Sequence, residues 1–216
     1  MTVEKEASYK STNTYSTLNS LTEKTKNIWL VFHGMGYLSR YFINYFSKLN
    51  AAENYIIAPQ APSKYYQGKD FKHVGASWLT RENTLGDSEN ILNYIDAVYE
   101  NELKGFTQKL IVLGYSQGVS IATRWVASRK IPCDILVLHS GGIPNELNAA
   151  DFGHLKSTTS VFYLYGNKDQ YITEARETEE KLKGNKLFQD RLKVEVFDGT
   201  HEVNTDFIEK LAANSL

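Results

Sequence analysis

Lys109-Leu110-Ile111-Val112-Leu113-Gly114-Tyr115-Ser116-Gln117-Gly118-Val119-Ser120-Ile121-Ala122 is the stretch whose reading decides the fold. Its first half is an apolar run with no polar face, as a strand buried on both sides requires. Its second half changes period. Val119, Ile121, Ala122, Trp125 and Val126 recur at helical spacing, and that helix must end before Pro132. Between the two, Gly114-Tyr115-Ser116-Gln117-Gly118 predicts a serine held on a sharp turn from strand into helix. Two glycines and a serine carry little weight alone; the strand before and the helix after are the context the chemistry needs.

The same alternation repeats outward. Strands are expected at Asn27 to Phe32, Tyr55 to Ala58, Lys109 to Leu113, Asp134 to His139, Ser160 to Tyr165 and Leu192 to Phe197. Ser8 to Leu18 is expected to add an antiparallel edge strand. A second helix carries Ile91, Leu92, Ile95, Val98 and Tyr99 on one stripe, with Asp87 or Ser88 as its N-cap. Strand alternating with helix predicts an α/β fold, a mostly parallel sheet covered by helices on both faces, in one domain spanning 1–216. Ligands of such sheets bind beyond the carboxyl ends of the strands.

A serine nucleophile needs a base, and the base an orienting carboxylate. In this architecture they follow in the order Ser, Asp or Glu, His. Asp169 follows the strand that ends at Tyr165, and His201 follows the strand that ends at Phe197, so Ser116, Asp169 and His201 are the expected catalytic residues. Asp198 and Glu202 are nearer to His201 in sequence, but a neighbour in the same loop seldom points at the far ring nitrogen. The oxyanion that forms needs backbone N–H donors, expected from Gln117 and, in His33-Gly34-Met35-Gly36, from Met35. His33 itself reads as a structural hydrogen-bonding residue. Ala61 to Arg81 is long for a connection and rich in aromatics. With the early loop it offers Tyr37, Tyr65, Tyr66 and Trp78 as a substrate wall.

Composition narrows the partners. The 216 residues carry 24 Lys and Arg against 25 Asp and Glu, a net charge of -1 that gives no reason to expect nucleic acid or an anionic membrane. Cys133 is the one cysteine, which precludes an internal disulfide and fits a reducing, cytoplasmic setting. No apolar run approaches membrane-spanning length, no signal-like segment opens the chain, and no histidine spacing suggests a metal. No phosphate loop or dinucleotide fingerprint is present, so no cofactor is expected.

Taken together, His33-Gly34-Met35-Gly36, Pro59-Gln60-Ala61-Pro62, Ser77-Trp78, Gly114 to Gly118, Tyr165-Gly166-Asn167-Lys168-Asp169 and Thr200-His201-Glu202 resemble the phospholipase/carboxylesterase group of α/β-hydrolases, relatives of acyl-protein thioesterases. The resemblance covers nearly the whole chain and implies the same triad and oxyanion donors. Members of the group that act as thioesterases or lysophospholipases typically continue the early loop with Asp after its second glycine. Here Gly36 is followed by Tyr37-Leu38-Ser39-Arg40. The departure favours a general carboxylesterase over an acyl-protein thioesterase or lysophospholipase, and the bulky Met35, Tyr37, Tyr65, Tyr66 and Trp78 in the two loops that can overhang Ser116 predict a modest apolar pocket for short to medium acyl esters. A non-catalytic ligand-binding scaffold is the alternative of a different class. The expected partner is a small-molecule ester or thioester.

Overall fold

The computed structural model describes residues 1–214. Among the described residues nine strands and five α-helices follow in the order β1 (Tyr15–Leu18), β2 (Asn27–Phe32), α1 (Ser39–Phe42), β3 (Asn54–Pro59), β4 (Ser63–Gln67), β5 (His73–Ser77), α2 (Thr84–Leu103), β6 (Lys109–Tyr115), α3 (Gln117–Arg129), β7 (Ile135–His139), β8 (Ser160–Gly166), α4 (Glu174–Phe188), β9 (Leu192–Phe197) and α5 (Thr205–Ala212). The main sheet has seven strands in the order β1-β3-β2-β6-β7-β8-β9. All of its pairings are parallel except that of β1 with β3, the antiparallel edge foreseen from sequence, though only Tyr15–Leu18 of the expected segment is strand.

Alternation along the central strands divides two apolar layers. Ile28, Leu30 and Phe32 of β2, with Leu110 and Val112 of β6, face the layer that holds Trp125, Val119, Ile95 and Leu187. Trp29 and Val31, with Ile111, Leu113 and Tyr115, face the layer of Phe42, Phe46, Phe207 and Leu211. Every residue of β2 is buried, which is why its sequence shows no alternation of polarity. No helix among the described residues is long and apolar enough to cross a membrane.

Two expectations are corrected. Helix α2 begins at Thr84, one turn before the expected caps, with Asn83 in the left-handed region at φ 47° as its N-cap. Asp87 lies inside the first turn, and its N–H donates to the Asn83 carbonyl at 3.0 Å. The apolar stripe that betrays the helix starts only at Ile91, because the first turn is exposed or half-exposed and carries no periodic signal. The connection Ala61 to Arg81 is no plain loop either. It contains the antiparallel hairpin of β4 and β5, register Tyr65 to Gly75, which stands apart from the main sheet.

Strand order positions the site. From β2 the chain moves to one side through β3, then returns to start β6 on the other side of β2, so the order reverses between these neighbours. Phe32 lies opposite Gly114 in the β2–β6 register. The loops after β2 and β6 therefore emerge side by side, diverging around a crevice at the carboxyl edge.

Candidate active site

Ser116 sits between β6 and α3 with φ 52° and ψ −118°, outside the regions an L-residue ordinarily adopts. The turn closes because its flanks lack side chains. A Cβ on Gly118 would fall 2.1 Å from the Phe32 carbonyl oxygen, and one on Gly114 would fall 2.5 Å from that of Gly118. The Ser116 N–H donates to the His139 carbonyl at 2.8 Å, which ties the turn to the end of β7.

The loops after β8 and β9 are joined to each other. Asn167 N–H donates to the Phe197 carbonyl and Lys168 N–H to that of Gly199, both at 2.9 Å. That pairing sets Asp169 against His201. The His201 Nδ1–H donates to Asp169 Oδ2 at 2.7 Å, and Nε2 accepts from the Ser116 hydroxyl at 2.9 Å. Asp169 Oδ1 accepts from the Tyr171 N–H at 2.8 Å, and its side chain is wholly buried. A buried carboxyl with a donor on each oxygen is fixed in orientation and can hold the imidazole in the tautomer that leaves Nε2 free to take a proton.

Of the nearer carboxylates, Asp198 is exposed and pairs with Lys168 at 2.6 Å. Glu202 accepts from the Thr200 N–H at 3.1 Å. The structure thus gives both a partner other than the imidazole.

Two other histidines hold the loops. His33 is buried; its Nδ1–H donates to the Gly34 carbonyl at 2.7 Å and its Nε2 accepts from the Ala61 N–H at 3.1 Å, the structural part expected of it. Burial pushes its pKa down to about 4. His139, also buried, accepts the Asn204 N–H on Nε2 at 2.9 Å and bonds Ser140 Oγ through Nδ1 at 3.0 Å. Burial, then the nearby His201, push it down to about 3. His139 therefore anchors the segment just after His201, which sequence reasoning left without a role.

The early loop and the start of α3, the two segments expected to carry the oxyanion donors, meet beside Ser116. A Cβ on Gly34 would be 3.1 Å from Ser116 Cβ, so the early loop covers the elbow. Gln117 is the first residue of α3, where a backbone N–H has no intrahelical acceptor. The early loop is clamped by the hairpin: Gly36 N–H donates to the Ala76 carbonyl at 2.8 Å, and Gln67 Nε2 donates to the Gly36 carbonyl at 2.9 Å. The Gln117 side chain grips the other end of the hairpin, accepting from Trp78 N–H at 2.8 Å and donating to the Leu79 carbonyl at 2.7 Å. Gln67 was invisible in the sequence because its part depends on the hairpin register.

The expected substrate wall divides. Tyr65 and Tyr66 are exposed on β4, and Met35 is exposed on the early loop. Tyr37 is half-buried in an aromatic cluster, its hydroxyl 3.0 Å from that of Tyr45. Trp78 is a correction: it is 1% exposed, and its indole N–H donates to the His33 carbonyl at 2.8 Å. An indole brings an N–H that must find an acceptor, and here the acceptor lies inward, so Trp78 supports the early loop from beneath. Tyr171 was missed; its ring meets His201 edge-on, centroids 4.7 Å apart.

The model of the phospholipase/carboxylesterase family matches residues 13–214. The chain belongs to that family. Among solved structures it is similar to acyl-protein thioesterase 2 of Zea mays, at 16% identity and TM-score 0.66, covering 94% of this chain and 97% of that one. The phospholipase/carboxylesterase of Dyadobacter fermentans is similar at 21% identity and TM-score 0.65, covering 97% and 99%. The Bacillus cereus carboxylesterase is similar at 15% identity and TM-score 0.67, covering 94% and 93%. At such identities the likeness is one of fold, the α/β-hydrolase fold. No curated protein matches the chain by sequence. Family membership indicates a hydrolase of the carboxylesterase or thioesterase type.

Proposed function

We propose that the protein is a serine carboxylesterase that hydrolyses short to medium acyl esters through an acyl-enzyme on Ser116. The observation that carries this reading is the unbroken hydrogen-bond chain from Ser116 Oγ through His201 to buried Asp169, at 2.9 and 2.7 Å. Ser116 Oγ attacks the ester carbonyl as its proton passes to His201 Nε2. The carbonyl oxygen gains charge and is met by the N–H groups of Met35 and Gln117, fixed in advance by the hairpin clamp. Asp169 holds the imidazolium, which protonates the leaving alcohol or thiol. Water then attacks the acyl-enzyme with His201 again as base and releases the acid and Ser116. A binding scaffold without catalysis would not require Ser116 to be strained onto the elbow and bonded to a base that is itself oriented.

The test is a rate profile across p-nitrophenyl esters and matched thioesters of graded acyl length. The expected result is hydrolysis with an optimum among short to medium acyl esters and a steep fall for palmitoyl. A palmitoyl optimum would replace the proposal with an acyl-protein thioesterase, and absence of turnover on every member of the panel would overturn it.

A further inference from the structure

Arg176 lies in the first turn of α4, where Thr173 Oγ1 caps its N–H at 3.3 Å, and its side chain is exposed. The guanidinium turns back toward the loops around Ser116. Nη1 donates to the Tyr171 carbonyl at 3.4 Å, and the Tyr171 ring lies on His201. Nη2 lies 2.8 Å from the point a Cβ would occupy on Gly142. The preceding residue, Gly141, touches the elbow, its own Cβ position being 2.2 Å from the Ser116 carbonyl oxygen. One step along the chain separates these contacts, which bounds the reach from Nη2 to the Ser116 carbonyl oxygen at roughly 12 Å or less.

The cation is unmatched. Among the described residues no carboxylate lies within ion-pair reach of Arg176. The acids facing this region are engaged: Asp169 with His201 at 2.7 Å, Glu177 with Lys181 at 2.5 Å, and Glu179 with Lys183 at 3.0 Å. Buried Glu180 is the nearest acid, its Oε1 3.3 Å from the same Gly142 Cβ position that Nη2 approaches, but it is held by Lys183 at 3.1 Å and by the Ile143 N–H at 2.8 Å. A guanidinium has five N–H donors in a planar fork that fits a carboxylate in two parallel bonds. The two successive glycines, 141 and 142, add no side chain of their own between that fork and the elbow, where Gly141 packs on Val119.

We infer that Arg176 is a specificity residue that binds a carboxylate on the substrate, so that the enzyme's substrate class is the monoester of a short dicarboxylic acid. The inference rests on the hydrolase reading for its chemistry, and on the position of Arg176 for its specificity. A monoanion suits the setting better than a phosphate dianion, because Glu174, Glu177, Glu179 and Glu180 lend the same helix a negative field.

The experiment compares monomethyl succinate and monomethyl glutarate with methyl butyrate and methyl valerate in a pH-stat. The wild-type protein is expected to favour the anionic ester by about tenfold or more in kcat/KM, the effect of one charge-assisted hydrogen bond, and to lose that preference as salt rises. Arg176→Gln should abolish the preference, Arg176→Glu reverse it and Arg176→Lys keep part of it. In parallel, calorimetric binding of monomethyl glutarate to Ser116→Ala should disappear when Arg176→Glu is added. Neutral esters cleaved at rates equal to the anionic ones, or a preference untouched by Arg176→Gln, would overturn the inference and leave the hydrolase reading standing. Arg176-dependent binding without turnover of any ester would do the reverse.

Discussion

The Tyr115 hydroxyl donates to the backbone carbonyl of His201 at 2.9 Å. Tyr115 immediately precedes Ser116, and its ring lies 5.3 Å from the imidazole, so the elbow itself positions the base it uses. Replacing Tyr115 by Phe removes that bond and keeps the ring. A lost hydrogen bond of about 1 kcal/mol, felt mainly in the alignment of His201 with Ser116, should lower kcat by about five- to tenfold and leave KM nearly unchanged. Steady-state kinetics of Tyr115→Phe check this; a raised KM at full kcat would assign Tyr115 to substrate binding instead.

Asp169 and the carboxylates beside His201 in sequence should separate cleanly. Asp169→Asn leaves the imidazole without an acceptor for Nδ1–H and should reduce kcat by a factor on the order of 10⁴. Asp198→Asn loses an exposed ion pair with Lys168, and Glu202→Gln alters one turn contact, so both should stay within a few-fold of wild type. Collapse in Asp198→Asn with Asp169→Asn near normal would reverse the assignment of the orienting carboxylate.

Trp78 tests the corrected placement. A residue in the substrate wall would, on truncation, admit longer acyl chains. A buried indole holding the His33 carbonyl should instead cost about 3–5 kcal/mol of stability as Trp78→Ala and depress kcat at every chain length, since the early loop loses its support. Denaturant titration with a chain-length profile distinguishes the two, and a stable variant with a longer optimum would return Trp78 to the wall.

Most of the architecture was legible because the central strands are buried on both faces and announce themselves as apolar runs. Asn27–Phe32, buried throughout, matches its expected bounds; the half-exposed edge strand Leu192–Phe197 matches too, but it was legible from its β-branched and aromatic residues. The order Ser116, Asp169, His201 followed from which strands the loops succeed, a property of topology that sequence carries well. What depended on register or on side-chain direction was not legible. In the β4–β5 hairpin β4 is exposed almost throughout and only the second half of β5 is buried, so no alternating pattern marks it and it read as a loop. The inward turn of Trp78, the grip of Gln67 on Gly36 and the anchoring of the His201 loop by His139 are contacts between residues far apart in the chain. No local pattern encodes them.

The two buried histidines set a pH limit on the fold. Folded, His33 titrates at about 4 and His139 at about 3. Unfolded, each titrates near about 6.5. Between these values the unfolded chain binds more protons, so stability is complete above about pH 6.5 and declines as pH falls toward the folded values. By about pH 5 each histidine should have cost about 2 kcal/mol. Urea denaturation across this range measures the loss; an unchanged midpoint from about pH 8 to about pH 5 would show that neither ring is held neutral.

The most direct measurement of the central claim is intact-mass spectrometry of the native protein after treatment with a fluorophosphonate, followed by peptide mapping. A serine activated by His201 on a strained elbow should take one adduct, mapped to Ser116, and the adduct should be absent in Ser116→Ala and strongly slowed in His201→Ala. A folded wild-type protein that remains unmodified, or one labelled equally well when Ser116 is replaced, would contradict the assignment of Ser116 as the nucleophile.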